Sequence, residues 1–416
     1  EQFEKEIVPK LRFPEFIGDK LKITKLGKIS SVVKEKAGEN KYTLMSVTSG
    51  VGLIPQTEKF GREIAGDSYK NYIVIRKYDF AYNKSATKQF PEGYISMLGE
   101  YDIAAVPNSI FTCFRITGNE SYPPFFDYLW HNNYHGHWLR KYIEVGARAH
   151  GALSVDTKHL WSMPLALPDF KEQQKIADCL SSIDELIDAE SRKLKALEKY
   201  KKGLMQKLFP AEGKTLPEWR FPEFQGCGEW KSKSMGKACK MFSGGTPDTS
   251  KKEFYGGTIP FIRSAEINKS STELFITEEG FKNSSAKMVK KGDILIALYG
   301  ANSGEVALSK IDGAINQAIL CLRHETNNVF VYHYFTHMKN WIISKYIQGG
   351  QGNLSGQNIK SVNLYFPKAE EQQKIADFLS EIDTMITGQS NKVEQLKAHK
   401  KGLMQGLFPS FEEADV

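Results

Sequence analysis

Cysteine is scarce in this 416-residue chain: Cys113, Cys179, Cys227, Cys239 and Cys321 are an odd set with no Cys-x-x-Cys pair. That argues against a disulfide framework and a zinc ribbon, and it suits a reducing cytoplasm. Long apolar runs are missing too. Nothing approaches the roughly 18 consecutive apolar residues of a membrane span, and the acidic start, residues 1–9, does not read as a signal peptide. Catalytic motifs fail on inspection. Residues 213–215 (GKT) mimic the end of a phosphate loop, but the required earlier glycine is Leu208. Residues 122–125 (YPPF) approach the Asn/Asp-Pro-Pro-aromatic motif of amino methyltransferases, yet Tyr122 is a poor holder for a target amine; a turn before a helix suffices. His131, His135 and His137 cluster, and His333 and His337 lie one turn apart, without Cys or Glu at metal spacing. Neither metal nor catalysis is expected.

What the chain does contain is written twice. Residues 168–210 and 367–409 align without a gap, and 25 of the 43 positions are identical. EQQKIAD occurs at 172–178 and 371–377, KKGLMQ at 201–206 and 400–405, and LFP closes both copies. A second repeat opens each half: RFPEF-x-G at 12–18 and again at 220–226. Between opener and long repeat lies a variable block with faint echoes, such as Cys113-Phe114-Arg115 against Cys321-Leu322-Arg323. The two blocks read as one fold with diverged surfaces. The net charge of +7 is uneven: residues 1–167 carry +4 and 214–366 carry +6, whereas 168–213 are neutral and 367–416 carry −3. Two basic blocks suit phosphate contact.

The long repeats predict helices. Inside 168–210 the only interior glycine is Gly203, and prolines occur only at the ends. Apolar residues fall at Ile176, Leu180, Ile183, Ile187, Leu194, Leu197, Leu204 and Leu208, with Glu190 and Lys201 filling the skipped places. That is a heptad seam. The second copy interrupts its seam at the same places, with Gln389 and Lys400. Shared interruptions make each helix the economical partner of the other. Antiparallel pairing then sets the seam charges against polar partners, and each rod is roughly 60 Å long. A helical hairpin that merely packs a core is the blander reading.

In the second block, residues 243–247 (SGGTP) make a loop with exposed N–H groups, 259–263 (IPFIR) a strand ending in arginine, and 292–297 (GDILIA) a buried strand. Polar residues at strand ends suit base-edge readout. The candidate DNA contacts there are Ser243, Gly244, Gly245, Thr246, Arg263, Lys287, Tyr299, Asn302, Ser303, Asn316 and Gln317. In the first block they are Ser46, Thr48, Ser49, Asn83, Lys84, Lys88, Arg148 and His150.

Over nearly its whole length the chain resembles the specificity (S) subunit of type I restriction–modification systems. The duplicated RFPEF-x-G opener, the SGGTP loop, the GDILIA strand and the two EQQKIA-headed helices ending in KKGLMQ-x-LFP carry the resemblance. It implies an α+β protein with two similar α/β target recognition domains, at 1–167 and 214–366. Conserved helical spacers at 168–213 and 367–416 would form an antiparallel coiled coil with pseudo-two-fold symmetry. It further implies double-stranded DNA, two methyltransferase (M) subunits and restriction (R) subunits as partners. S-adenosylmethionine would belong to the M subunits, ATP and Mg to the R subunits, and no cofactor to this chain. The first block lacks SGGTP, which leaves its contacts less defined. Two other classes compete: an autonomous DNA methyltransferase or nuclease, and a protein-interaction scaffold of two β-rich domains on a helical rod.

Overall fold

The computed structural model describes residues 9–48, 50–87, 90–107, 111–143, 156–346 and 353–409. The chain forms two compact units: Glu1–Glu190 with Lys392–Val416, and Ser191–Asn391. The division cuts both long helices, Phe170–Leu208 and Ala369–Leu407, near their middles. Each unit therefore holds one variable block, the first half of the helix that follows it, and the second half of the other long helix.

The first unit contains β1 (Lys22–Lys25), β2 (Ser30–Val32), β3 (Met45–Thr48), β4 (Gly52–Pro55), β5 (Ile73–Arg76), β6 (Asp79–Asn83), β7 (Tyr94–Met97), β8 (Ile103–Val106), β9 (Phe111–Ile116) and β10 (Pro164–Leu167). The second contains β11 (Lys231–Ser234), β12 (Cys239–Ser243), β13 (Tyr255–Ile262), β14 (Phe275–Ile276), β15 (Lys287–Val289), β16 (Ile294–Ala297), β17 (Val306–Leu308), β18 (Gly313–Ile315), β19 (Ile319–His324) and β20 (Asn363–Phe366). The four-stranded antiparallel sheet β2-β9-β6-β7 has the same order as β12-β19-β16-β17. Opener and closer strands pair in both, β1 with β10 and β11 with β20. A parallel contact recurs too: Leu44 lies beside Ala105 as Phe261 lies beside Ala314. The expectation of one fold used twice holds.

Equivalent chemistry holds the equivalent sheets. Asp79 takes Arg115 Nε at 2.6 Å, and Asp293 takes Arg323 Nη2 at 2.7 Å, so the echoed Cys-x-Arg stretches each supply the arginine. Each aspartate also accepts a main-chain N–H three residues earlier, from Arg76 and from Lys290, both at 2.7 Å. The turn between them needs a left-handed residue, which is Tyr78 (φ 73°) in one copy and Gly292 (φ 88°) in the other.

The repeated opener and the repeated helix head meet in space. Arg12 grips the carboxylate of Glu172 through Nε (2.9 Å) and Nη2, and Arg220 grips Glu371 through Nε and Nη2, both at 2.7 Å. Both glutamates are buried, and both arginines are nearly so. A bidentate pair of this kind satisfies charges that burial would otherwise leave uncompensated. The next helix residue repeats as well: the amides of Gln173 and Gln372 donate to the carbonyls of Pro168 and Pro367, each at 2.9 Å.

The seam residues of both helices are buried or half-buried along their length, as the heptad pattern predicts. The helices run antiparallel, which ion pairs within each unit register. In the first unit Lys400 binds Asp184 at 2.6 Å and Lys392 binds Glu190. In the second, Lys201 binds Asp383. Asp184 and Asp383 are equivalent residues of the repeat, as are Lys201 and Lys400, so each seam lysine finds the same partner on the opposite helix.

The YPPF stretch and the clustered histidines have structural surroundings. Tyr122 precedes the helix Pro123–His131, where proline suits the first turn, and its N–H donates to Gln173 Oε1 at 2.9 Å. His135 and His333 are buried, and His337 stacks on Phe209. Among the described residues no group of His, Cys, Asp and Glu has metal-binding geometry, and no helix is long and apolar enough to cross a membrane.

Candidate nucleic-acid interface

In the second unit the register gathers most candidates at one edge. The strand β13 runs parallel to β18 with Ile262 beside Ile315, so Arg263 and Asn316 leave their strands side by side. Lys287 starts β15 on the other flank of Ile315. Ser243 ends β12, and the next residue, Gly244, donates its N–H to the Asn316 carbonyl at 3.2 Å. Leu298, just past β16, donates to the Ala318 carbonyl at 2.8 Å, which sets Tyr299 at the same edge.

The SGGTP loop is glycine for steric reasons. A Cβ on Gly244 would sit 1.7 Å from the Ile315 carbonyl oxygen, and one on Gly245 would sit 2.6 Å from Ser285 Cβ. That close approach brings Thr246 over Gln317, where its hydroxyl donates to Gln317 Oε1 at 2.8 Å. Thr246, Gln317, Lys287 and Tyr299 are exposed, whereas Asn316 is half-buried and fixes the turn by accepting the Ala318 N–H at 3.1 Å. Ser303 turns inward to the Leu298 carbonyl (2.9 Å), and Asn302 is half-buried beside it. These two shape the YGANS turn from within. Arg263 is not free: it pairs with Glu266 at 3.0 Å and Glu273 at 2.7 Å. The Arg263 guanidinium holds the Glu266 carboxyl down to about 2.

The first unit places Ser46 and Thr48 on β3, in the region that the parallel Leu44–Ala105 contact equates with Arg263. Asn83 ends β6 and is buried, its Oδ1 accepting the Ser85 N–H at 3.0 Å, and Lys84 is half-buried next to it. The hairpin β3–β4 lies on β7, through the Leu53 N–H bond to Ser96 Oγ at 3.2 Å. Ser96 pairs with Ala81 and Tyr94 with Asn83, so the hairpin and the end of β6 adjoin. Thr48 Oγ1 is buried without a hydrogen-bond partner among the described residues. Ser49, Lys88, Arg148 and His150 lie outside the described residues.

Several residues that shape these edges carry no signal in the local sequence pattern. Lys59 reaches Ser46 Oγ and the Val47 carbonyl, both at 3.3 Å, and burial lowers its pKa. Glu266 and Glu273 bind Arg263 from a neighbouring turn and strand approach, and Ser285 backs Gly245. Only three-dimensional neighbours identify them. The expectation that the chain has no Phe-x-Gly-x-Gly string of the kind found at S-adenosylmethionine sites is wrong as to sequence, since residues 224–228 (FQGCG) fit it. Here it is the turn after the opener, with Gly228 at φ 76° and its carbonyl accepting Arg220 Nη1 at 2.7 Å.

Comparisons with known proteins agree with this architecture. A family model described as the type I restriction modification DNA specificity domain matches residues 68–199 and 228–398. The putative type I restriction enzyme MjaX specificity subunit of Methanocaldococcus jannaschii is 28% identical over 275 residues, 64% of this chain and 63% of that protein. The type I restriction enzyme EcoR124I/EcoR124II specificity subunit of Escherichia coli is 30% identical over 169 residues, 38% of this chain and 42% of that one. The matches thus span less than two thirds of these relatives' own length. Among solved structures, a type I restriction–modification S subunit from M. genitalium aligns with a TM-score of 0.61 at 15% identity, covering 97% of this chain and 99% of that one. A chain from a study of type I R-M complex assembly and conformational transition aligns with a TM-score of 0.58 at 16% identity, covering 94% and 98%. At these identities the structural likeness speaks to fold.

Proposed function

The chain belongs to the type I restriction–modification DNA specificity family, and from that membership we propose that it reads a two-part DNA target, one part with each variable block. Residues 1–167 and 214–366 are the readers; 168–213 and 367–416 space them and dock partners. Two copies of one helix head, each locked by the same Arg–Glu pair, offer two equivalent surfaces, which suits two methyltransferase subunits per chain. Those subunits use S-adenosylmethionine to methylate adenine N6 in each half of the target. Restriction subunits, with ATP and Mg, add cleavage. This chain performs recognition rather than chemistry, acting on double-stranded DNA in the cytoplasm. In keeping with that role, the methyltransferase-like strings are occupied in structural work, the Tyr122 N–H with Gln173 and the Gly228 carbonyl with Arg220.

The observation that carries the reading is the strand-end edge itself. The same sheet order and the same Asp–Arg strap present different side chains in the two units, as two readers of different sequences require. Exchanging residues 214–366 for the matching block of a related chain tests it. Adenine methylation mapped across DNA of cells carrying the chimera with its methyltransferase subunits should change in one half of the target only. A change in both halves would refute the two-reader assignment.

A further inference from the structure

Arg263 divides its guanidinium between two carboxylates of different character. Nε and Nη2 donate side-on to Glu266, both at 3.0 Å. Glu266 is buried and takes two further main-chain bonds, from the N–H of Arg263 (3.2 Å) and the N–H of Glu273 (3.2 Å), while the Thr272 hydroxyl shares its one hydrogen between Glu266 (3.0 Å) and the Phe261 carbonyl (2.9 Å). Its plane is therefore fixed, and the guanidinium cannot swivel without breaking a bidentate pair. The other hydrogen of Nη2 goes to Glu273 Oε2 at 2.7 Å. The Glu273 side chain is 77% exposed, so that bond competes with water and is weak. Nη1 has no hydrogen-bond partner among the described residues. The end-on edge of the guanidinium, Nη1 with Nη2, is thus half open and half covered by a movable carboxylate.

The O6 and N7 atoms of guanine form two adjacent acceptors in the major groove, which suit this edge. A phosphate suits it less well, because the arginine's charge is already balanced by Glu266, while directional bonds to a neutral base need no net charge. Resting on the DNA-reading function above, we propose that Arg263 reads a guanine in the second part of the target, with Glu266 as its positioning residue and Glu273 as a placeholder that leaves when DNA arrives.

The test uses the full chain co-expressed with its methyltransferase subunits, with methylated adenines mapped across the host genome. Arg263→Lys and Glu266→Gln should each weaken the preference for one guanine, roughly tenfold or more, and leave the first half of the target unchanged. Glu273→Gln alters an exposed side chain, so it should fold normally, keep the target sequence and bind target DNA severalfold more tightly. An unaltered chain giving no two-part target would overturn the DNA-reading function itself. With that target intact, three results overturn the assignment of Arg263: both variants keep every base, both lose methylation with no base relaxed, or Glu273→Gln leaves affinity unchanged or lowers it.

Discussion

In the first unit a lysine, Lys59, reaches the strand β3, where it meets a hydroxyl and a carbonyl; in the second an arginine follows the equivalent strand and is held by two carboxylates. Behind these edges the units share a framework. The Arg–Glu anchor, the Asp–Arg strap, the sheet order and the parallel contact recur in both. The contrast separates what holds the fold from what faces outward. Buried ion pairs constrain both partners, so changing one residue leaves a charge uncompensated. Exposed strand ends carry no such constraint.

The anchors give the largest test of that likeness. Arg12→Ala and Arg220→Ala should each cost about 3–5 kcal/mol, because Glu172 or Glu371 is left buried and unpaired. Hydrogen exchange resolved along the chain should find each loss in its own unit. Trp230 Nε1 also donates to Glu371 at 3.3 Å, so the second unit should retain more of its protection. Equal losses would show that Trp230 contributes nothing to the anchor.

A smaller effect concerns acid. Burial lowers the pKa of His135 in the first unit to about 4 and that of His333 in the second to about 3. His333 lies 3.9 Å from Asp383, but at neutral pH it is uncharged and forms no ion pair. The unfolded chain takes up these protons near pH 6.5 and the folded chain does not. Their contribution is therefore complete above about pH 6.5 and is lost as pH falls, by about 1.4 kcal/mol per pH unit for each ring. At pH 5 the total loss amounts to about 2 kcal/mol for each ring. Denaturant titration at several pH values should show His135→Leu and His333→Leu each removing part of this slope. An unchanged acid slope in both variants would assign acid sensitivity to other groups.

The smallest difference lies in the turn before each strap. Gly292→Ala should cost about 1 kcal/mol, since a left-handed backbone disfavours any Cβ. Apart from its chain neighbours, no described residue has an atom within 4 Å of the added carbon, so the cost is conformational. Tyr78 already bears that strain, so Tyr78→Ala should change stability by less, as calorimetry of the two variants would reveal.

Much of this was legible because repetition reports constraint. The two helices, their antiparallel pairing and the polar partners of Lys201 and Lys400 follow from seam residues interrupted at matching places. The echoed arginines Arg115 and Arg323 were visible as echoes, although their pairing with aspartates was not, because Asp79 begins another strand and Asp293 directly precedes one, each some 30 or more residues away in sequence. The candidate contacts were chosen by residue type at strand ends. Tertiary structure brings Ser243, Thr246, Lys287, Tyr299, Asn316 and Gln317 to one edge and turns Ser303 inward. Side-chain chemistry can be read locally, but direction depends on register, and register depends on pairing between distant segments.

By itself the sequence determined that one architecture is built twice, since the heptad period and the repeated openers act over a few neighbouring positions and leave a recurring trace. Tertiary structure alone decided that the first compact unit takes half of a helix from the far end of the chain while the second is one continuous stretch, and that Arg263 is fixed by Glu266 before any partner arrives. Both depend on contacts between residues remote in sequence or in different local elements. The free energy of such contacts comes from burial and geometry, which local pattern does not encode.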